Sequence, residues 1–387
     1  MNKGIAVIFI ALITISSLQA ASHYGFVSNG FEPSAMNLAL GGSPVGVVNV
    51  WHNDPLNAYG NPALPSLHSG VSYSSTKYDY QKVHYTYGEY DEYLAFSSAL
   101  ATLSYKGIGL LFPMGHPSSN KSGSYTDYGS FQIVTEENFD GYSVNLHDQA
   151  KPFGLSINLP EVIELMHPQS SLISAKLDLA MGLNIIENTS RIHLTQDPVD
   201  TDARSVNLGL LARLKHSSES TFRVESAFGM SYFNAFKHEV SLNDGQSADV
   251  IYQRLNLGLG LSGARINPKY DDGLGILNSF ENVYSIRAFG GVMEEFADDP
   301  LILGAGAELG LLDAIFFRTG YHYDKAGKID GLTCGLGINL HYRNLFSVFC
   351  DLSRFPGGAT GMDKKTISYG ISIDPIAIFN EGVFGNK

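Results

Sequence analysis

"LDLAMGLNI", Leu177 to Ile185, decides the fold class. Leu177, Leu179, Met181, Leu183 and Ile185 share one face, and Asp178, Ala180, Gly182 and Asn184 share the other. A period of two is the pleat of a β-strand, because successive side chains point to opposite faces. In "FRVESAFGMSY" the apolar set is Phe222, Val224, Phe228, Met230 and Tyr232, against Arg223, Glu225, Gly229 and Ser231. The same split recurs in "VNLGLLARL", "LNLGLGLS", "LGAGAELGL", "IFFRTGYHY" and "TISYGISI". A secreted sandwich would carry Lys and Glu on its second face. Here that face is Gly, Ser, Asn and occasional charge, the pattern of a lumen whose opposite wall meets lipid. The expected fold is all-β, a transmembrane antiparallel β-barrel.

Composition agrees. With 41 Gly, 22 Phe, 21 Tyr and a single Trp in 387 residues, the chain is built for strands and turns. A net charge of −13 disfavours nucleic acid, which requires clustered Lys and Arg. At the amino end, Lys3 precedes the apolar run Ile5 to Ile15, followed by Ser16, Ser17, Ala20 and Ala21. That is the layout of a cleaved secretory signal, and the run is shorter than the roughly 20 residues of a spanning helix. Residues 1–21 are therefore expected to be a signal peptide.

The connections give a second test, since such barrels have short turns at one end and long loops at the other. Asp313, "HSSE" at 216–219 and "YRNLF" read as tight turns; "YDKAGKIDG", "RFPGGATGMDKKT" and the stretches 188–204 and 234–250 read as long. Residues 263–282 break the rule, being long on the short side, and "LPEVIELMHPQ" at 159–169 reads as a short helix there, with Pro near its start. Both read as caps on that end.

Apparent chemical motifs lose force against this background. Gly258, Gly260 and Gly263 spell G-x-G-x-x-G, but no helix follows, and a small residue on an inner strand face simply leaves room. "SSNK" at 118–121 lacks the partner motifs of a serine enzyme. The twelve His have no paired spacing, and "EEFADD" from Glu294 reads as a solvated loop. Neither a catalytic triad, a metal site nor a cofactor is expected, and the protein is not read as an enzyme. Cys334 and Cys350 both fall on the lipid face and read as free thiols. Arg213, Arg223, Glu225, Arg287, Glu308 and Arg318 fall on the inner face, where they pair with one another or with whatever fills the lumen.

Residues 34–75, "SAMNLALGGSPVGVVNVWHNDPLNAYGNPALPSLHSGVSYSS", resemble the start of mature proteins in the long-chain fatty-acid transporter (FadL) superfamily. The matching residues are Gly41, Gly42, Asp54, Asn57, Asn61, Pro62 and Ala63. "GAGAELGLLDAIFFRTGYHYDKAGKIDGLTCGLGINLHYRNLFSVFCDLS" looks closer to the PorV/PorQ branch, through its Arg-x-Gly-Tyr-x-Tyr-Asp element at Arg318 to Asp324. The resemblance covers about half the chain and implies an amino-terminal plug, with Gly41, Gly42, Asp54, Asn61, Pro62 and Ala63 as plug or gating residues. A plug also makes physical sense, because a barrel of about fourteen strands is too wide for its own inward side chains to fill. The tail "DPIAIFNEGVFGNK" departs from the family, whose barrels end on the last strand.

The expected organisation is a signal at 1–21, a plug at 22–66, a barrel at 67–373 and a periplasmic tail at 374–387. The expected location is the outer membrane of a diderm bacterium, among outer-membrane lipids. Two functions remain open. One is a passive channel for hydrophobic small molecules such as long-chain fatty acids. The other is a component resembling PorV that receives secreted cargo proteins of the type IX pathway.

Overall fold

Among the described residues, eighteen strands follow the alternating segments, and sixteen of them close into one sheet. The structure, a computed structural model, describes residues 32–78, 81–85, 90–114, 131–139, 142–167, 176–193, 198–216, 221–236, 239–241, 247–250, 253–268, 280–295, 301–324, 329–342, 345–356 and 364–380. The expected signal at 1–21, the turn "HSSE" and most of the long connection at 263–282 lie outside the described residues.

The strands are β1 (Gly70–Tyr78), β2 (Gln81–Tyr85), β3 (Tyr90–Tyr105), β4 (Ile108–Pro113), β5 (Phe131–Phe139) and β6 (Tyr142–Asn158). Next come β7 (Leu177–His193), β8 (Pro198–His216), β9 (Phe222–Phe233), β10 (Glu239–Ser241), β11 (Ser247–Val250) and β12 (Arg254–Ile266). The last are β13 (Asn282–Glu295), β14 (Ile302–Leu311), β15 (Ile315–Asp324), β16 (Ile329–Tyr342), β17 (Phe346–Phe355) and β18 (Lys364–Ile373). β1 with β2, and β4 with β5, each form one broken stave along β3. The result is a closed antiparallel barrel of 14 strands. Closure is made by β1 against β18, from Val71 opposite Ile373 to Tyr78 opposite Thr366. Closure removes the open edge whose unpaired backbone groups hydrocarbon would not tolerate.

Tight hairpins gather at one end, here the turn end. Lys106 and Gly107 have positive φ (45° and 78°), as do Leu312 and Asp313 (53° and 48°), the backbone that a two-residue turn between twisted strands requires. Asp313 also ties neighbouring strands together, its carboxylate accepting 2.8 Å and 2.9 Å bonds from the Asn282 backbone N–H and side-chain amide. The expected helix is present at the same end as Leu159–Met166, with Pro160 in its first turn. β18 ends at Ile373 and Asp374 caps a further helix, Pro375–Asn380, accepting 3.0 Å bonds from the amides of Ile376 and Ala377.

At the opposite, loop end, one expectation is corrected. The stretch 188–204, read as loop, is largely strand: β7 and β8 stay paired out to His193 opposite Pro198. Pairing there needs only backbone partners, and in this stretch the sequence lacks the apolar alternation that marks the rest of the strands. The stretch 234–250 likewise contains a hairpin of its own, β10 with β11.

Outward positions hold the expected apolar side chains, among them Leu179, Val224, Leu259 and Ile338, all exposed. Inward Asn184 and Ser231 are fully buried. Cys334 and Cys350 are free and not opposite one another: Cys350 faces Ile338, and Cys334 faces Arg354. Among the described residues, no helix is long and apolar enough to cross a membrane.

Candidate functional site

Residues 32–68 pack against the inner face of the barrel as four short turns. Helices Ala35–Ala39, Ser43–Gly46 and Asn57–Gly60 are followed by a 3-10 turn, Leu64–Leu67. None is long enough to be stable alone, so their conformation comes from packing. Gly41 (φ 115°) and Gly42 (φ 88°) make the sharp reversal after the first helix, in backbone that a side chain would strain.

The segment carries its own buried polar framework. The Asn37 side-chain amide donates to Glu32 and to Asn57, both at 3.0 Å, and Asn49 donates to the Asn37 oxygen at 3.0 Å. The Ser34 hydroxyl donates to Asp54, and Asp54 also accepts from the Leu56 amide, both at 3.0 Å. Burial pushes the Glu32 carboxyl up to about 7 and that of Asp54 up to about 6, since charge is disfavoured away from water. For the same reason His68 is pushed down to about 3, His52 is lowered, and the Tyr59 phenol is raised.

What receives this segment is a belt of inward glycines. Gly182 stands opposite Gly209, and Gly229, Gly258, Gly291 and Gly304 form a continuous row across β9, β12, β13 and β14. A Cβ on Gly182 would lie 2.1 Å from the Pro62 carbonyl oxygen, on Gly229 2.2 Å from that of Val47, and on Gly291 1.9 Å from that of Pro44. On Gly306 it would lie 2.2 Å from the Leu40 carbonyl. The segment's backbone therefore rests directly on the wall's backbone. No other residue permits such an approach.

Polar side chains of the wall meet carbonyls of the segment between these contacts. Asn184 donates to Ala58 O at 3.0 Å, Thr333 to Ala39 O at 2.8 Å, and His322 Nδ1 lies 2.7 Å from Gly41 O. Asn61 donates to Val47 O at 2.8 Å within the segment and to Leu210 O at 3.2 Å on the wall, and accepts from the Ala63 amide at 3.0 Å.

The six inward charges expected from alternation all sit toward the turn end. Arg213 and Lys215 bond Asp178 at 2.6 Å and 3.0 Å. Arg223 pairs with Glu281 and lies 3.5 Å from Glu225. Glu308 is held by Arg318 at 2.7 Å and by Arg287, and Arg318 also pairs with Asp351. The segment joins this network through one loop: Trp51 Nε1 donates to Glu225 at 2.6 Å, and Asn53 donates to Ser372 at 3.0 Å. His52 Nε2 lies 2.9 Å from Glu308 and 3.0 Å from the Arg287 guanidinium. Beneath this loop is a cavity of about 710 Å³ lined by both signs of charge, including Arg213, Arg223, Glu225 and Asp351.

Several partners were missed in the sequence. Asp178 and Asp351 stand at inward positions of quoted strands, so parity alone marks them. Trp51 and His52 carry no local signal, because their partners lie 174 and 256 residues away.

Toward the loop end an apolar contact between segment and wall lies beside the His322 and Thr333 bonds. Leu38, Leu56 and Tyr59 pack with Leu100, Leu111, Ile186, Phe233 and Phe355 in one buried cluster. The Tyr59 and Phe233 rings meet edge to face at 6.0 Å.

A closed antiparallel wall that is apolar outside and polar inside is a transmembrane β-barrel. No protein-family model and no curated protein matches the chain. Similar solved structures include the CymD monoaromatic hydrocarbon channel, at 8% identity and TM-score 0.45, covering 91% of this chain and 99% of that one. The Pseudomonas putida toluene transporter TodX matches at 11% identity and TM-score 0.42, covering 92% and 99%. A Pseudomonas aeruginosa FadL homologue matches at 11% identity and TM-score 0.41, covering 89% and 99%. At such identities and scores these likenesses carry no functional argument. The fold rests on the pairing and burial described above.

Proposed function

We propose that the protein is an outer-membrane channel of a diderm bacterium for hydrophobic small molecules, long-chain fatty acids being the substrate class, with the segment 32–68 as its plug. The observation that carries this reading is the apolar cluster at the loop end, shared between segment and wall. A molecule entering from the loops meets Phe, Leu and Ile side chains that a small displacement of the segment would uncover. A ligand bound there replaces protein contacts of the same apolar kind. On this reading Gly41 and Gly42 shape the plug, while Asp54 and Asn61 to Ala63 brace it.

Deletion of residues 32–66 tests the plug. Strand pairing and lipid contact lie elsewhere, so the barrel should still assemble, and planar-bilayer conductance should rise from near silence to steady open-channel current. An electrically silent deletion would remove the segment's role in closure. Uptake of a long-chain fatty acid into vesicles holding the intact protein tests the substrate class. Normal conductance behaviour with no uptake, together with a defect in surface release of cargo proteins in cells, would instead favour the type IX reading.

A further inference from the structure

On the lipid side of the glycine belt lies an apolar trough of about 650 Å³. Its walls are two rows of outward side chains set by strand register. Leu155, Leu183, Leu208, Tyr232 and Leu255 stand opposite one another in turn across β6, β7, β8, β9 and β12. The second row, Ile157, Met181, Leu210 and Met230, runs parallel to it, two residues along each strand. Between them the floor is the backbone of Gly182 and Gly209, which send no side chain outward. The Pro62 carbonyl presses on the other side of that floor. The wall is here a single backbone thick.

We infer that this trough is a binding site for one extended acyl chain of a bilayer phospholipid, held as an ordered part of the barrel. Three features select that occupant. None of the eleven lining residues carries a charge, so the site takes hydrocarbon rather than a headgroup. Crossing five strands, it is about 19 Å long at the usual strand spacing. That length suits a stretched long chain and is far more than a single aromatic ring fills. It also opens within the apolar belt that faces the bilayer, where phospholipid chains are the surrounding medium and any free acid is dilute. A single chain lying along the trough contacts both rows and the glycine floor at once, more protein contact than a chain of the surrounding bilayer makes on a convex stretch of wall. The inference is independent of the channel reading.

The test is native mass spectrometry of the full-length protein extracted in mild detergent. Wild type should retain one phospholipid after excess detergent is stripped. Leu210→Trp and Met181→Trp, which fill the trough from the neighbouring strands β8 and β7, should lose it, while Leu336→Trp, outward on the distant β16, should keep it. Heat-modifiable gel migration identifies assembled barrel, and either trough variant suffices if the other does not assemble. Equal retention in all proteins, or none in wild type, overturns the proposal. Displacement of the phospholipid by added palmitic acid would assign the trough to free acid and overturn the phospholipid assignment.

Discussion

The two halves of the lumen hold the same segment by opposite means. Toward the loop end, Leu38, Leu56 and Tyr59 meet apolar wall residues in contacts without direction, joined by wall bonds to segment carbonyls from His322 and Thr333. Toward the turn end, Trp51, His52 and Asn53 enter a network in which Glu308 alone meets two arginines and a histidine. Those bonds are directional and buried, and breaking one strands a charge. Between the halves the glycine belt sets only shape. The difference suggests a segment anchored below and able to loosen above, and each contrast can be tested separately.

The largest effect is expected from the anchor. Glu308→Gln leaves Arg287 and Arg318 without their shared counter-charge and should cost about 3–5 kcal/mol in urea unfolding of the barrel in vesicles. Loss of Leu56 contacts by Leu56→Ala is expected to be no larger, so a bigger cost at Leu56 would reverse the comparison.

Proton linkage should act next. Glu32 titrates near 7 in the docked segment against an ordinary 4.5, so the docked state holds the extra proton and docking weakens as pH rises across that window. Asp54 acts in the same direction between 3.8 and about 6. His68 and His52 oppose both, because their lowered values cost docking as pH falls below 6.5. Glu32→Gln isolates one group: its docking should gain on wild type by up to about 1.4 kcal/mol per unit between pH 4.5 and 7, then level off. Protease protection of the segment against pH measures this, and parallel curves for the two proteins would contradict it.

The belt gives a smaller and cleaner contrast. Gly291 and Gly290 are neighbours on β13, but a Cβ on Gly291 would lie 1.9 Å from the Pro44 carbonyl, whereas on Gly290 it meets nothing within 4 Å. Gly291→Ala should cost about 1–3 kcal/mol of docking, and Gly290→Ala close to none. Equal effects would mean the segment does not rest on the belt.

Asn61→Ala should be the mildest. Among the described residues two of its bonds stay within the segment and one reaches the wall, at Leu210 O, so about 0.5–1.5 kcal/mol of docking is expected to be lost, read as a raised background conductance.

Alternation by itself determined the strands and their faces, because side-chain direction along a strand is a local property of the pleat; that Cys334 and Cys350 stay apart was decided by register. Alternation read Arg213, Glu308 and Arg318 as inward and Leu179 and Ile338 as outward; Glu308 and Arg318 are buried, Arg213 bonds Asp178, and Leu179 and Ile338 are exposed. It misread 188–204, where the apolar alternation lapses although the backbone stays paired. Only the tertiary structure decided the partners. That Arg318 meets both Glu308 and Asp351 depends on the register of β14, β15, β16 and β17, and that Trp51 reaches Glu225 depends on where the segment lies. Inward parity also could not tell an open position from a filled one. Asn184 and Ser231 look roomy in sequence and are fully buried, and Gly182 looks empty while the Pro62 carbonyl occupies its space. Direction is written locally in a strand, but occupancy is set by closure of the whole ring around a segment far away in the chain.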